Sequence, residues 1–106
     1  MVLVKMAEYD EIAEGQMIHV EAGGRDVLLA KVQGNIHAID NRCGHLGAPL
    51  NEGTLVGNIV QCPEHTVHYD IITGKYVGQR EFTSYDREVF RVTVEDSIVK
   101  VDVPDE

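Results

Sequence analysis

The strongest constraint on the fold of this chain is a pair of short segments that each hold one cysteine and one histidine. The first is the Cys-Gly-His triplet at 43–45, and the second, after sixteen intervening residues, is the Cys-Pro-Glu-His segment at 62–65. Thiolates and imidazoles are both metal ligands, so the two segments can serve one site only if the fold brings them together. The four candidate ligands are Cys43, His45, Cys62 and His65.

Glycine and proline around these ligands predict tight loops. Gly44 and Gly47 flank His45, and glycine permits backbone conformations that other residues rarely adopt. Pro63 follows Cys62 directly and locks its own φ angle. Each segment can therefore curl back so that both of its ligands reach one small site.

The residue types leave three kinds of site open. A structural zinc ion accepts two cysteines and two histidines, but zinc fingers usually place like ligands together, whereas each segment here mixes them. A disulfide would leave the two histidines without a purpose. A two-iron cluster bound by both thiolates on one iron and both imidazoles on the other accounts for all four residues, and it is the interpretation that we favour.

The segments resemble the two ligand boxes of Rieske-type ferredoxins. The resemblance extends to Gly-Ala-Pro-Leu-Asn-Glu-Gly at 47–53, to His-Tyr-Asp at 68–70 and to Thr-Gly at 73–74. It implies one [2Fe-2S] cluster of the Rieske type, held by the four candidate ligands. His68, three residues beyond His65, is the only rival for the role of His65.

The resemblance also implies which residues surround the cluster. Tyr69 matches a tyrosine that donates a hydrogen bond to the cluster in high-potential Rieske proteins, whereas Val67 replaces their serine. Ala48 and Glu64 stand where those proteins carry the cysteines of a loop disulfide, so we expect an intermediate reduction potential. A packing role for Tyr69 stays equally open. The remaining residues expected around the cluster are Leu46, Gly47, Pro49 and Pro63.

The rest of the chain predicts an all-β fold. Its stretches of β-forming residues are separated by turn signals, and the one candidate helical turn lies at 8–13. Gly23-Gly24, Gly34-Asn35 and the segment 95–97 are predicted hairpin turns. The predicted strands are 2–7, 17–21, 27–32, 36–40, 88–94 and 98–103, with a further strand pair near 54–62 and no assignment for 78–87.

The resemblance implies how these strands are organised. We expect a single domain, 1–106, with a base of antiparallel strands in a sandwich or barrel, formed by about 1–40 and 77–106. A cluster-binding subdomain, about 41–76, is expected to be inserted into this base.

The net charge of the chain indicates which kinds of partner it can bind. The formal net charge is −9, and the acidic residues are spread along the chain, so nucleic acid and anionic membranes are poor partners. The same charge speeds encounter with a positively charged face on another protein. No segment approaches the roughly 20 apolar residues of a membrane span or shows the features of a signal peptide, so we expect a cytoplasmic protein.

The function implied by the resemblance is one-electron transfer by a soluble carrier. Electrons would come from a flavoprotein reductase and go to a terminal oxygenase or similar oxidoreductase, and the chain itself would not be an enzyme. A Rieske subunit bound permanently in a larger oxidoreductase is the first alternative, and a zinc-stabilised interaction module is an alternative of another class.

Overall fold

The computed structural model describes residues 2–42, 49–63, 68–77 and 87–103. These residues form short β-strands joined by tight turns, together with single turns of 3-10 helix at Tyr9–Glu11 and Leu50–Glu52. No helix in the described part is long and apolar enough to cross a membrane. The strands are β1 (Val2–Glu8), β2 (Met17–Ala22), β3 (Arg25–Val32), β4 (Asn35–Asp40), β5 (Thr54–Val56), β6 (Ile59–Gln61), β7 (His68–Asp70), β8 (Tyr76–Val77), β9 (Val89–Phe90), β10 (Val92–Glu95) and β11 (Ile98–Val103).

The strands make three antiparallel sheets. The central sheet has the order β2-β3-β4-β9, the terminal sheet has the order β1-β11-β10, and the third sheet has the order β5-β6-β7-β8. Every pair of neighbouring strands is antiparallel. The predicted all-β, antiparallel fold is confirmed.

The central sheet is covered on both faces. Successive residues of a strand point to opposite faces, so β3 contributes side chains to two separate cores. Val27 and Leu29 are buried with residues of the terminal sheet, whereas Leu28 and Ala30 are buried with residues of the third sheet. This explains why β3 is apolar over four consecutive residues instead of alternating.

The hairpin turns follow from residues that tolerate a positive φ. Gly23 and Gly24 have φ angles of 58° and 77°, and Asp96 and Ser97 have φ angles of 51° and 65°. Both turns lie where they were predicted. The turn between β3 and β4 was predicted one residue too late, because Gln33 and Gly34 occupy it and Asn35 already pairs in β4.

Residues 88–94, predicted as one strand, form two strands in different sheets. Val89–Phe90 pairs with β4 in the central sheet, whereas Val92–Glu95 pairs with β11 in the terminal sheet. The chain changes sheets at Arg91, whose carbonyl accepts a hydrogen bond from Asp102 N–H at 2.9 Å. Because β-propensity is equally high on both sides of Arg91, the local sequence does not signal this change.

The other predicted elements agree with the structure within two residues, and the pair near 54–62 appears as β5 and β6. The predicted helical turn is the 3-10 turn Tyr9–Glu11. The short strands β7 and β8 and the turn Leu50–Glu52 were not predicted, because segments of two or three residues carry almost no periodic signal. Most of 78–87 lies outside the described residues.

Candidate metal centre

Cys62 is the candidate ligand that lies within the described residues. It directly follows β6, where Val60 is fully buried and pairs with Tyr69 on β7. Alternation along the chain puts Val60 and Cys62 on the same face, and the Cys62 side chain is only 2% exposed. The thiol therefore lies at the end of a strand, inside the core between the central and third sheets.

The other candidate ligands lie outside the described residues, so the complete ligand set stays a prediction. Ala48 and Glu64, which replace the cysteines of the loop disulfide, also lie outside the described residues. So do three of the residues expected around the cluster. The predicted site residues outside the described part are Cys43, His45, His65, Leu46, Gly47 and Val67. Pro49, Pro63 and Tyr69 are described.

Backbone contacts join the residues on either side of the segment that contains the first ligand box. Arg42 and Pro49, which border 43–48 on either side, form an isolated antiparallel bridge. One residue further out, Leu50 N–H donates to the carbonyl of Asn41 at 2.6 Å. Pro49 also starts the 3-10 turn Leu50–Glu52 as its N-cap residue. The two ends of the first ligand loop are thus held side by side.

A buried amide reinforces this base. Asn41 is fully buried, and its side chain connects Asp26 on β3 with Asn51 in the turn after Pro49. Asp26 and Asn41 were not predicted as site residues, and Asn51 was recognised only as part of the segment 47–53. The available signal was an asparagine between a predicted strand and a ligand box, but such a residue is more often an exposed turn residue.

Two arginines and a carboxylate meet at the same base. Asp40 accepts a hydrogen bond from Arg42 N–H at 2.9 Å, and its carboxylate oxygens lie 3.6 Å from the guanidinium nitrogens of Arg42 and of Arg87. Arg87 also donates to the carbonyl of Arg42 at 3.2 Å. Positive charge is therefore present beside the first ligand loop of an otherwise acidic chain.

The end of the first loop region lies against the start of the second. A Cβ atom added to Gly53 would overlap the carbonyl oxygen of Gln61, the residue before Cys62. Thr54, the next residue, is the register partner of Gln61 in the third sheet. Leu50 is fully buried in the same core as Cys62. The fold thus brings the residues that follow the first ligand box close to Gln61 and Cys62, at the start of the second.

Tyr69 and His68 point to opposite faces of β7. Tyr69 is fully buried in the core that contains Cys62, and its ring packs edge-on against Tyr76 with centroids 6.2 Å apart. His68 is half-buried on the other face, where it pairs with Gln61. This arrangement supports a packing role for the Tyr69 ring and disfavours His68 as a substitute for His65.

The predicted donor set fits a Rieske cluster. Two thiolates and two neutral imidazoles match the mixed coordination of its two irons. Cys62 is shielded from water at the end of a strand, in the same core as Leu50, which follows the bridge that joins Arg42 to Pro49. Cys43 and Cys62 remain the predicted ligands of one iron, and His45 and His65 remain the predicted ligands of the other.

Comparisons with known proteins bear on this interpretation. The family model described as the Rieske [2Fe-2S] domain matches residues 2–94. The ferredoxin component of the naphthalene 1,2-dioxygenase/salicylate 5-hydroxylase systems of Ralstonia sp is 39% identical over 66 residues, which are 62% of this chain and 64% of that protein. The ferredoxin component of biphenyl 2,3-dioxygenase from Rhodococcus jostii is 32% identical over 75 residues, which are 71% of this chain and 70% of that protein.

A solved structure agrees with the fold. The Sphingomonas yanoikuyae B1 ferredoxin superposes with a TM-score of 0.86 at 26% identity, covering 97% of this chain and all of the other. The family match leaves the zinc and disulfide interpretations without support. This chain therefore belongs to the Rieske [2Fe-2S] domain family, and its cofactor is one Rieske-type [2Fe-2S] cluster.

Proposed function

We propose that this chain is a one-electron carrier that accepts electrons from a flavoprotein reductase and delivers them to a terminal oxygenase or a similar oxidoreductase. It transforms no substrate itself. The observation that carries the proposal is that its relatives are named as ferredoxin components of dioxygenase systems. The alignments cover about two thirds of those relatives, so partners are part of the proposal.

The ligand residues suit this task. When bound, a Rieske cluster takes up and returns single electrons at potentials of about −150 to +300 mV. Two neutral imidazoles in place of two thiolates leave the oxidised site formally uncharged, so one added electron is stored at a small electrostatic cost. Burial of Cys62 keeps water away from at least one thiolate. We assign the ligand roles to Cys43, His45, Cys62 and His65.

The proposed division of the chain places all four predicted ligands in one subdomain. We assign 41–76 to a cluster-binding subdomain and about 1–40 and 77–106 to its base. Cys62 directly follows β6 of the third sheet, whose strands lie between Thr54 and Val77, and this supports the assignment of the subdomain. The central and terminal sheets supply a rigid support, since β3 is buried on both faces.

Charge favours the encounter of such a carrier with its partners. The formal net charge of −9 attracts a positively charged docking face, and the attraction weakens as salt screens it. A cytoplasmic location belongs to the proposal, because both cysteines of the chain are used as iron ligands and none is left for a disulfide.

The decisive first experiment is EPR spectroscopy of the dithionite-reduced protein together with iron, sulfide and zinc analysis. We expect the rhombic signal of a mixed Cys/His cluster and two irons per chain. Stopped-flow reduction by a flavoprotein reductase should then be fast and should slow as ionic strength rises.

Two results would contradict the proposal. A colourless protein that contains zinc would refute the cluster and the electron-transfer role together. A protein that has the cluster but purifies only in a fixed ratio with larger subunits would refute the free carrier and favour the permanently bound subunit.

A further inference from the structure

Asn41 lies two residues before Cys43 and is completely buried. Burial of an amide lowers the stability of the fold unless its donors and its acceptor are hydrogen-bonded. The partners of Asn41 therefore show which parts of the chain its side chain connects. These partners lie on both sides of the first ligand loop.

The Asn41 side chain makes three hydrogen bonds. Its Nδ2 donates to Asp26 Oδ2 at 3.0 Å and to Asn51 Oδ1 at 2.8 Å, and its Oδ1 accepts from Asn51 N–H at 2.8 Å. Its backbone adds two more, because its N–H donates to the Asp26 carbonyl at 2.9 Å and its carbonyl accepts from Leu50 N–H at 2.6 Å. Asn41 thus ties the strand before the loop to the turn after it.

The partners also dictate which way the amide points. A carboxylate only accepts hydrogen bonds and a backbone N–H only donates, so Nδ2 must face the Asp26 carboxylate and Oδ1 must face the Asn51 N–H. The other oxygen of Asp26 lies 2.9 Å from His19 Nδ1, which fixes the carboxylate in turn. An aspartate at position 41 would keep the shape but set two carboxylates against each other.

We propose that Asn41 is a positioning residue for the first ligand pair, Cys43 and His45. Its amide holds Asn51 and Asp26 in place. It thereby sets the distance between the two ends of the segment that carries both predicted ligands. The proposal rests on the proposed function, since it requires these residues to bind a Rieske cluster.

The test compares Asn41 with a second asparagine whose side chain also donates to an aspartate. Asn58 lies at the opposite end of β6 from Cys62, and its Nδ2 donates to Asp70 Oδ1 at 3.1 Å. The variants are N41A, N41D, N58A, N58D and the exchange N41D/D26N, in which the amide and the carboxylate trade places. Each cluster-loaded protein is mixed with an excess of iron chelator, and cluster loss, EPR g values and reduction potential are measured.

We expect N41A and N41D to lose the cluster roughly 10- to 100-fold faster than the wild type, the usual range for residues that orient metal ligands. Their remaining clusters should show shifted g values, a change that loss of global stability alone would not produce. The exchange variant should recover part of the lost retention. The amide introduced by D26N donates to the carboxylate introduced by N41D, and rotation of the Asn51 amide lets its Nδ2 donate to that carboxylate as well. Both Asn58 variants should behave as the wild type.

The inference would be overturned if N41A and N41D kept the cluster retention, g values and potential of the wild type. It would also be overturned if the Asn58 variants changed these quantities as much as the Asn41 variants do. If the single Asn41 variants cannot be loaded, the exchange variant decides, and its failure to hold cluster better than N41D overturns the inference. A wild-type protein without an iron–sulfur cluster would refute the proposed function as well, whereas a loaded wild type with indifferent Asn41 variants refutes the positioning role alone.

Discussion

Leu28 and Leu29 are consecutive residues of β3, and both side chains are fully buried, yet they belong to different cores. Leu28 packs in the core that contains Cys62 and Tyr69, whereas Leu29 packs in the core that the terminal sheet covers. Because both residues belong to the same strand, their backbone conformations are alike. The two positions differ mainly in the side chains that surround them. This makes them a matched pair for separating stability from cluster binding.

Replacing either leucine by alanine should lower the free energy of unfolding by about 2–5 kcal/mol, because each leaves a cavity in a closed core. Only L28A should also speed the loss of the cluster to a chelator, since its cavity lies in the core that supports Cys62. Urea unfolding and chelator kinetics on the same preparations give both quantities. Equal rates of cluster loss in the two variants would show that the two cores do not act separately.

Gly53 should tolerate no side chain. A Cβ atom there would overlap the Gln61 carbonyl, which is backbone and cannot move aside without disturbing the β5–β6 pairing. We expect G53A to lose about 1–3 kcal/mol of stability, as overpacked sites do, and to be isolated with less iron. Iron content and thermal unfolding measure this.

The control for Gly53 is G57A, at the other end of the same hairpin, where an added Cβ meets nothing within 4 Å. Its φ of 60° costs alanine roughly 1 kcal/mol, so some stability is lost without any clash. Iron content in G57A should equal that of the wild type. A normal iron content in G53A would contradict the close approach of the two loop regions.

The resemblance implies a hydrogen bond from Tyr69 to the cluster, and such a bond predicts a lower reduction potential in Y69F. Losing one hydrogen bond of about 1 kcal/mol from the reduced state corresponds to roughly 40 mV for a one-electron couple. The ring stays, so the packing against Tyr76 and the thermal stability should change little. Redox titration of Y69F, with Y76F as the control of equal chemistry, measures the effect. An unchanged potential would leave Tyr69 as a packing residue only.

Glu14 should make stability depend on pH in the acid range. The backbone N–H groups of Gly34 and Gln33 donate to its carboxylate at 2.9 and 2.6 Å, and these bonds lower its pKa below the ordinary 4.5. Because the folded state has the lower pKa, the stabilisation is complete well above pH 4.5 and is lost as the pH falls through the folded value. The unfolding free energies of wild type and E14Q should therefore converge in acid. A difference that does not change with pH would contradict this.

Several parts of the fold could be predicted from local sequence. The turns at Gly23-Gly24 and Asp96-Ser97 follow from residues that accept a positive φ, and the flanking strands follow from β-branched residues. The division at Arg91 could not be predicted, because the residues on both sides favour strands equally and only pairing with β4 or β11 distinguishes them. The burial of Asn41 was equally hidden, since an asparagine beside a turn is ordinarily exposed.

The sequence by itself determined which donor groups a metal site in this chain can use, and the family match decided that the cofactor is a Rieske cluster. Thiolates and imidazoles are specific metal ligands, and their short spacing, with glycine and proline beside them, is a local property that needs no knowledge of the fold. Only the tertiary structure decided that Asp26, Asn41 and Asn51 would meet at the base of the first loop, and that Leu28 and Leu29 would serve different cores. Burial and pairing between distant residues arise when the chain folds back on itself, so no short stretch of sequence encodes them.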